Sequence, residues 1–184
     1  MKKLYWMIAV LCVLGIASTL WADDGDDPQA YGKPYSGSMN KLVGGVTFHT
    51  KIPAITNLPL KDGDFSYDLM YEYHEGIGFW QIGASYAPGP SDNRFDYILT
   101  PQVNLIIKDR FYRLGVGALK SHVETQDERH WTDIYWQIIA GIEIPLGSHF
   151  GIDLYGHYVF KRWDKITESN DGGLEYSALL AVSF

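Results

Sequence analysis

The sequence predicts an all-β protein: an eight-stranded antiparallel up-and-down transmembrane β-barrel. Three observations predict it. Beyond residue 39, segments of about ten residues alternate in polarity with a period of two, the period of a strand. The connections between those segments alternate between long and short. No apolar stretch in this region approaches the roughly 20 residues that a helical crossing needs. The length of 184 residues suits one domain, and 46% hydrophobic with 20% charged residues excludes a disordered chain. A net charge of −7 argues against a nucleic-acid partner. The single cysteine, Cys12, excludes a disulfide scaffold and a cysteine-based zinc site.

The chain opens with Met1-Lys2-Lys3, an uncharged apolar run from Leu4 to Ile16, and small residues ending at Ala22. This is the layout of an export signal, so residues 1–22 are read as a cleaved signal peptide. Cys12 lies within the apolar run after Leu11, where a lipoprotein signal wants a small residue. Residues 23–38 are acidic, Gly/Pro-rich and aperiodic, and read as a flexible tether. Residues 39–184 form the barrel.

Eight strands are expected, at 40–49, 65–74, 78–87, 94–107, 111–121, 133–144, 150–161 and 174–184. The second is the clearest. Phe65, Tyr67, Leu69, Tyr71 and Tyr73 share one face, and Ser66, Asp68, Met70, Glu72 and His74 the other. In the fourth, Phe95, Tyr97, Leu99, Val103, Leu105 and Ile107 oppose Arg94, Asp96, Thr100, Gln102 and Asn104. Apolar exceptions interrupt the polar faces: Ile98, Ile106, Tyr135, Ile139, Tyr155, Val159 and Leu179. Pro101 falls mid-strand, where it has no N–H for the ladder, so a bulge or local irregularity is expected there.

The connections at 75–77, 108–110 and 145–149 are short, 88–93 is intermediate, and 50–64, 122–132 and 162–173 are long. An up-and-down barrel has this pattern, with tight turns at one end and long loops at the other. The even strand count puts both termini at the tight-turn end. A soluble barrel with its apolar face inside shows the same alternation. Four features favour the inverse. The chain ends on Phe184 with apolar residues at alternate positions back to Tyr176. Gly83, Gly115, Gly117 and Gly141 lie on the polar face, as a crowded interior requires. Aromatics cluster near the ends of the apolar face, as interfacial girdles do. An exported domain without disulfides gains stability from a closed hydrogen-bonded barrel in lipid.

On these grounds residues 40–184 resemble the small eight-stranded outer-membrane β-barrels of Gram-negative bacteria. The most specific element is Tyr176-Ser-Ala-Leu-Leu-Ala-Val-Ser-Phe184, which is similar to the C-terminal signal that the family's barrel assembly machinery reads. The resemblance implies an outer-membrane monomer, lipid and lipopolysaccharide as surroundings, and Tyr176 and Phe184 as assembly-signal residues. The tail Asn170-Asp-Gly-Gly-Leu-Glu-Tyr also looks somewhat like that of the lipid A deacylases. Their His-x-Ser pair is missing from the penultimate strand, Gly156-His-Tyr-Val-Phe-Lys-Arg-Trp163, and from every other segment.

A barrel of eight strands is just wide enough for side chains to fill. The expected lumen network contains Asp68, Glu72, Asp96, Arg113, Glu143, Asp153, His157, Lys161 and Glu175, with Gln81, Gln102, Asn104 and Gln137. Buried charges need partners, and acids outnumber bases, so Arg113 and Lys161 are each expected to serve several carboxylates. A polar plug is favoured over a narrow ion or proton path on grounds of width. A Ser177–His157 pair with Glu175 or Asp153 is conceivable as a triad, but reads better as structural polarity. His122 and His130 share a loop without a recognised metal spacing, and no cofactor or metal is expected. The sequence therefore points to a non-enzymatic role, envelope-structural or surface-interacting, through loops 50–64, 122–132 and 162–173. The competing class is an acyl hydrolase that modifies lipid A.

Overall fold

The computed structural model describes residues 40–50, 58–75, 77–91, 93–147, 149–166 and 172–184. The signal peptide and the tether lie outside the described residues. The strands run β1 (Asn40–His49), β2 (Phe65–Glu75), β3 (Gly78–Pro88), β4 (Tyr97–Asp109), β5 (Tyr112–Leu119), β6 (His122–Glu124), β7 (Arg129–Trp131), β8 (Tyr135–Pro145), β9 (Phe150–Phe160) and β10 (Gly172–Ser183).

Every pairing is antiparallel. Strands β1, β2, β3, β4, β5, β8, β9 and β10 pair in that order, and β1 pairs with β10 to close an eight-stranded barrel. Closure leaves these strands no free edge, so each backbone ladder is satisfied within the protein. The predicted strands are therefore observed, with ends shifted by a few residues. The tight turns also fall where expected, after β2, β4 and β8. In the second of them Arg110 takes a left-handed conformation (φ 49°), which few non-glycine residues adopt.

The long segment 122–132 is not an irregular loop. It holds the hairpin β6–β7, which extends the wall beyond the barrel and pairs with β4 through Tyr97–Leu99. Pro101 explains why β5 and β6 are separate. Lys120 N donates to Pro101 O at 3.2 Å, but proline returns no N–H to Lys120. The ladder lapses there without a bulge. Gln102 faces Leu119 and Leu99 faces His122, three residues along on each strand.

Exposure decides which face is outside. Leu69 is 60% exposed, Ile82 55% and Tyr67 52%, whereas Glu72 and Asp153 are fully buried. The barrel is apolar outside and polar within. Its belt of Leu, Ile, Val, Tyr and Trp far exceeds the apolar patch a water-soluble monomer tolerates. Among the described residues no helix is long and apolar enough to cross a membrane.

The apolar exceptions on the polar face have a common explanation. Ile106, Ile139, Tyr155 and Leu179 pack with Val43, Phe79 and Ala181 into one buried cluster towards the tight-turn end. Tyr135 and Val159 join Leu119, and Ile98 joins Ala87, Phe95 and Val123, at the long-loop end. Leu58 covers both of these clusters.

Phe95 overturns an expectation. It precedes β4, is 3% exposed, and turns inward instead of joining the outer apolar face. Arg94, expected on the strand's polar face, pairs instead with Asp64 at 2.9 Å and also donates to Pro59 O, fastening segment 58–64 to the β3–β4 connection. Phe160 is on the outer face but fully buried, because Trp163 from the following turn packs edge-on against it at 4.8 Å.

The lumen is tight enough to demand glycine at defined positions. A Cβ on Gly117 would lie 1.9 Å from Asn104 Oδ1, and one on Gly83 would lie 2.2 Å from the Leu69 carbonyl oxygen. The outward Gly44 would meet nothing closer than 3.5 Å. Gly83→Ala is accordingly expected to cost about 1–3 kcal/mol by forcing backbone apart. Gly44→Ala should stay within about 0.5 kcal/mol. Urea unfolding of the two variants in lipid vesicles checks the contrast.

Candidate functional site

Among the described residues the fold concentrates chemistry-bearing side chains in the lumen. Inward positions on every strand come at alternate residues, so a single parity choice sends Lys41, Thr47 and His49 of β1 inside together with Asp68 and Glu72 of β2. Three levels result.

At the tight-turn end Glu143 is the hub. It accepts Lys41 Nζ at 2.7 Å, Lys108 Nζ at 2.6 Å and a hydrogen bond from Arg113 Nη2. Arg113 also faces Asp153, Nε to Oδ1 at 3.4 Å, and stacks over the Phe79 ring at 4.8 Å. Arg113 thus serves two carboxylates as expected, and a single carboxylate gathers three cations.

The middle level is a closed circuit of side-chain hydrogen bonds. Asp68 accepts from Thr47 at 2.6 Å and from Ser85. Gln102 Nε2 donates to Ser85 at 2.9 Å, and Gln137 Nε2 donates to Gln102 at 2.9 Å. His157 Nδ1 meets Gln137 Oε1 at 3.1 Å, and its Nε2 meets Ser177 Oγ at 2.8 Å. Ser177 meets Thr47 at 2.5 Å, which completes the ring. Seven of the eight barrel strands contribute one side chain each. The eighth, β5, contributes Gly117, paired with Gln137, where no side chain fits. Asn104 and Gln81 form a branch that carries the network from Gln137 to Glu72. Glu72 in turn bonds His74 at 2.9 Å.

At the long-loop end His49 is held between two partners. Its Nδ1 meets Glu175 Oε1 at 2.7 Å, and its Nε2 meets Ser66 Oγ at 3.1 Å. A cavity of about 40 Å³ borders this group, with Thr47 below and Leu58 and Leu60 among its lining.

The structure places Asp68, Glu72, Arg113, Glu143, Asp153, His157 and Glu175 in the lumen, as the sequence indicates. It removes two others. Asp96 precedes β4 and is exposed, because the strand begins at Tyr97. Lys161 follows β9 and pairs with Asp133 at 2.5 Å outside, instead of serving several lumen carboxylates. That ammonium holds the exposed Asp133 carboxyl below its usual pKa. The Ser177–His157 pair exists, but neither Glu175 nor Asp153 completes it. Gln137 takes that position, and Glu175 binds His49.

His122 and His130 pair with Trp131 and Val123 respectively, so they lie on opposite faces of the hairpin and cannot share a ligand. Tyr176 and Phe184 are both exposed, Tyr176 on the outer face of β10 and Phe184 just beyond its end. Ser66 and His74 share the polar face of β2 with Asp68 and Glu72 and join the same network. Lys41, His49 and Lys108 lie outside the network read from the sequence, and extending the parity of β1 and β4 to their ends finds them.

No protein-family model and no curated protein matches the chain. Among solved structures it is similar to Neisserial surface protein A, at 15% identity over 79% of this chain and 95% of that one, with a TM-score of 0.48. It is also similar to Ail, the attachment invasion locus protein of Yersinia pestis, at 14% identity over 80% and 98% of the two chains, TM-score 0.46. Ail in complex with the heparin analogue sucrose octasulfate gives 13% identity over 80% and 98%, TM-score 0.42. At such TM-scores these likenesses carry no argument about function, and the fold rests on the chain's own ladders.

Two outcomes are expected from the ion pairs. Glu143→Gln removes the carboxylate that three cations share in a buried site and should cost about 3–5 kcal/mol in urea unfolding. Lys161→Ala should change stability by less than about 1 kcal/mol, because exposed pairs contribute little. In that variant the Asp133 carboxyl, followed by NMR, should titrate at a higher pH than in the parent.

Proposed function

We propose that this chain is an exported protein of a Gram-negative outer membrane, with a role in envelope structure or surface interaction. The observation that carries the reading is the exposed apolar belt around a closed barrel with a plugged polar lumen. Acyl chains are the surroundings that such a belt satisfies, and a membrane barrel needs its backbone closed on itself. Residues 1–22 would direct export, and the alternating apolar end of β10, from Tyr176 to Phe184, would be read by the barrel assembly machinery. The eight barrel strands close on one another and leave no edge among themselves, which suits a monomer.

Contact with other molecules then falls to the long-loop end. There the wall rises as β6–β7, whose outer side carries His122 and Trp131 5.0 Å apart, with Lys120 over Trp131 at 5.6 Å. Aromatic and basic groups just beyond an apolar belt suit the headgroup level, including lipopolysaccharide phosphates. The lipid A hydrolase reading has no support on the outer face, because the serine–histidine pairs face inward.

Leu69→Arg, on the outer face near mid-strand, is expected to cost about 2–4 kcal/mol of folding in a bilayer. Protease added to intact cells should cut only within 50–64, 89–96, 122–132 and 162–173, the connections at the end opposite the tight turns. Cleavage at 76–77 or 110–111 in intact cells would overturn the orientation, and a stable detergent-free monomer would overturn the membrane reading. Lipid A acylation should be the same with and without the protein.

A further inference from the structure

We propose that Ser66, His49 and Glu175 form a nucleophile–base–acid relay able to cleave small esters at the long-loop end of the lumen. The connectivity is that of an activated serine: Ser66 Oγ lies 3.1 Å from His49 Nε2, and His49 Nδ1 lies 2.7 Å from Glu175 Oε1. Three strands hold it. His49 ends β1, Ser66 is the second residue of β2, and Glu175 lies near the start of β10. His49 and Glu175 are register partners across the β1–β10 seam, which fixes the imidazole against its carboxylate. All three side chains border the cavity of about 40 Å³.

The second serine–histidine pair supplies an internal contrast. Ser177 meets His157 at 2.8 Å, a shorter contact than that of Ser66, yet His157 rests on the neutral amide of Gln137. A neutral amide stabilises the imidazolium that forms when a base takes the serine proton less than a carboxylate does, and exchanging carboxylate for amide in a serine triad costs about four orders of magnitude in rate. Ser177 is further occupied by Thr47 within the closed circuit. Chemistry should therefore distinguish two serine–histidine pairs in one lumen by their third partner.

The step balances without any added reactant but water. Ser66 Oγ attacks the ester carbonyl as its proton passes to His49 Nε2, and Glu175 holds the imidazolium. The tetrahedral intermediate collapses, the bond to the alcohol oxygen breaks, and His49 returns the proton to that oxygen. Water, deprotonated by His49, then cleaves the acyl–Ser66 ester and releases the carboxylic acid. The cavity size limits the acyl group to an acetyl-like one and excludes the fatty acyl chains of lipid A. The inference stands apart from the outer-membrane reading, since it needs only the folded barrel.

The test uses the full-length barrel folded in detergent micelles, with folding verified by heat-modifiable gel mobility. Methanesulfonyl fluoride is the probe: Ser66 Oγ would form the new S–O bond, fluoride would leave, and the Oγ proton would pass to His49. Mass spectrometry of the digest should place the adduct on Ser66 and leave Ser177 unmodified. Glu175→Gln should slow labelling on the order of a thousandfold. p-Nitrophenyl acetate should be hydrolysed and p-nitrophenyl decanoate should not. No adduct in the folded wild type overturns the proposal. So does equal labelling of Ser66 and Ser177, or an unchanged rate in folded Glu175→Gln. Ser66→Ala should abolish the adduct; if it does not fold, the wild-type map and the Glu175→Gln rate decide.

Discussion

A polar side chain inside a narrow apolar cylinder has nowhere to turn except to another side chain. That constraint shapes the whole lumen. The walls are closed ladders that spare no backbone group, and the interior is barely as wide as its contents. Each inward donor must therefore meet an acceptor from a neighbouring or facing strand, or bear a desolvation cost of several kcal/mol. The circuit through Thr47, Asp68, Ser85, Gln102, Gln137, His157 and Ser177 answers that demand with hydrogen bonds around the full circumference. Because the bonds close on themselves, removing any member takes one partner from each of two others.

The circuit also ties the strands together in a way that the backbone alone does not. Ladders connect neighbours, whereas Gln137 on β8 bonds Gln102 on β4 across the glycine of β5. The Gly117 gap is thus a structural device: the missing side chain lets strands on either side touch through the lumen. The charged level works alike, since Glu143 on β8 draws Lys41 from β1, Lys108 from β4 and Arg113 from β5. A buried ion pair is poor evidence for net stability. A carboxylate shared among cations from three strands does, however, fix which strands must converge, and so favours one closed arrangement.

Polarity is graded along the axis. Charges collect at the tight-turn end, amides and hydroxyls occupy the middle, and the His49 group meets apolar Leu58 and Leu60 at the far end. Glu175 is the one carboxylate among the residues that line the narrow cavity near the long loops. A histidine there is surrounded by hydroxyls and one carboxylate, which is why its chemistry differs from that of His157 below it.

The period-two pattern, the alternating connection lengths and the apolar final strand determined by themselves that this chain is an eight-stranded barrel with a greasy exterior. They could do so because a strand's side chains have only two directions, and one choice of parity sets every residue on it. By that rule Asp68, Glu72, Arg113, Glu143 and Asp153 face inward, and each is buried. The rule failed at Asp96 and Lys161, where strand ends, fixed by turns and loop packing, moved the residues outside the ladder. Only the tertiary structure decided who bonds whom. Partners such as Glu175 with His49, or Gln137 with His157, are fixed by register around the barrel and by distances across it. No local stretch of sequence encodes those distances.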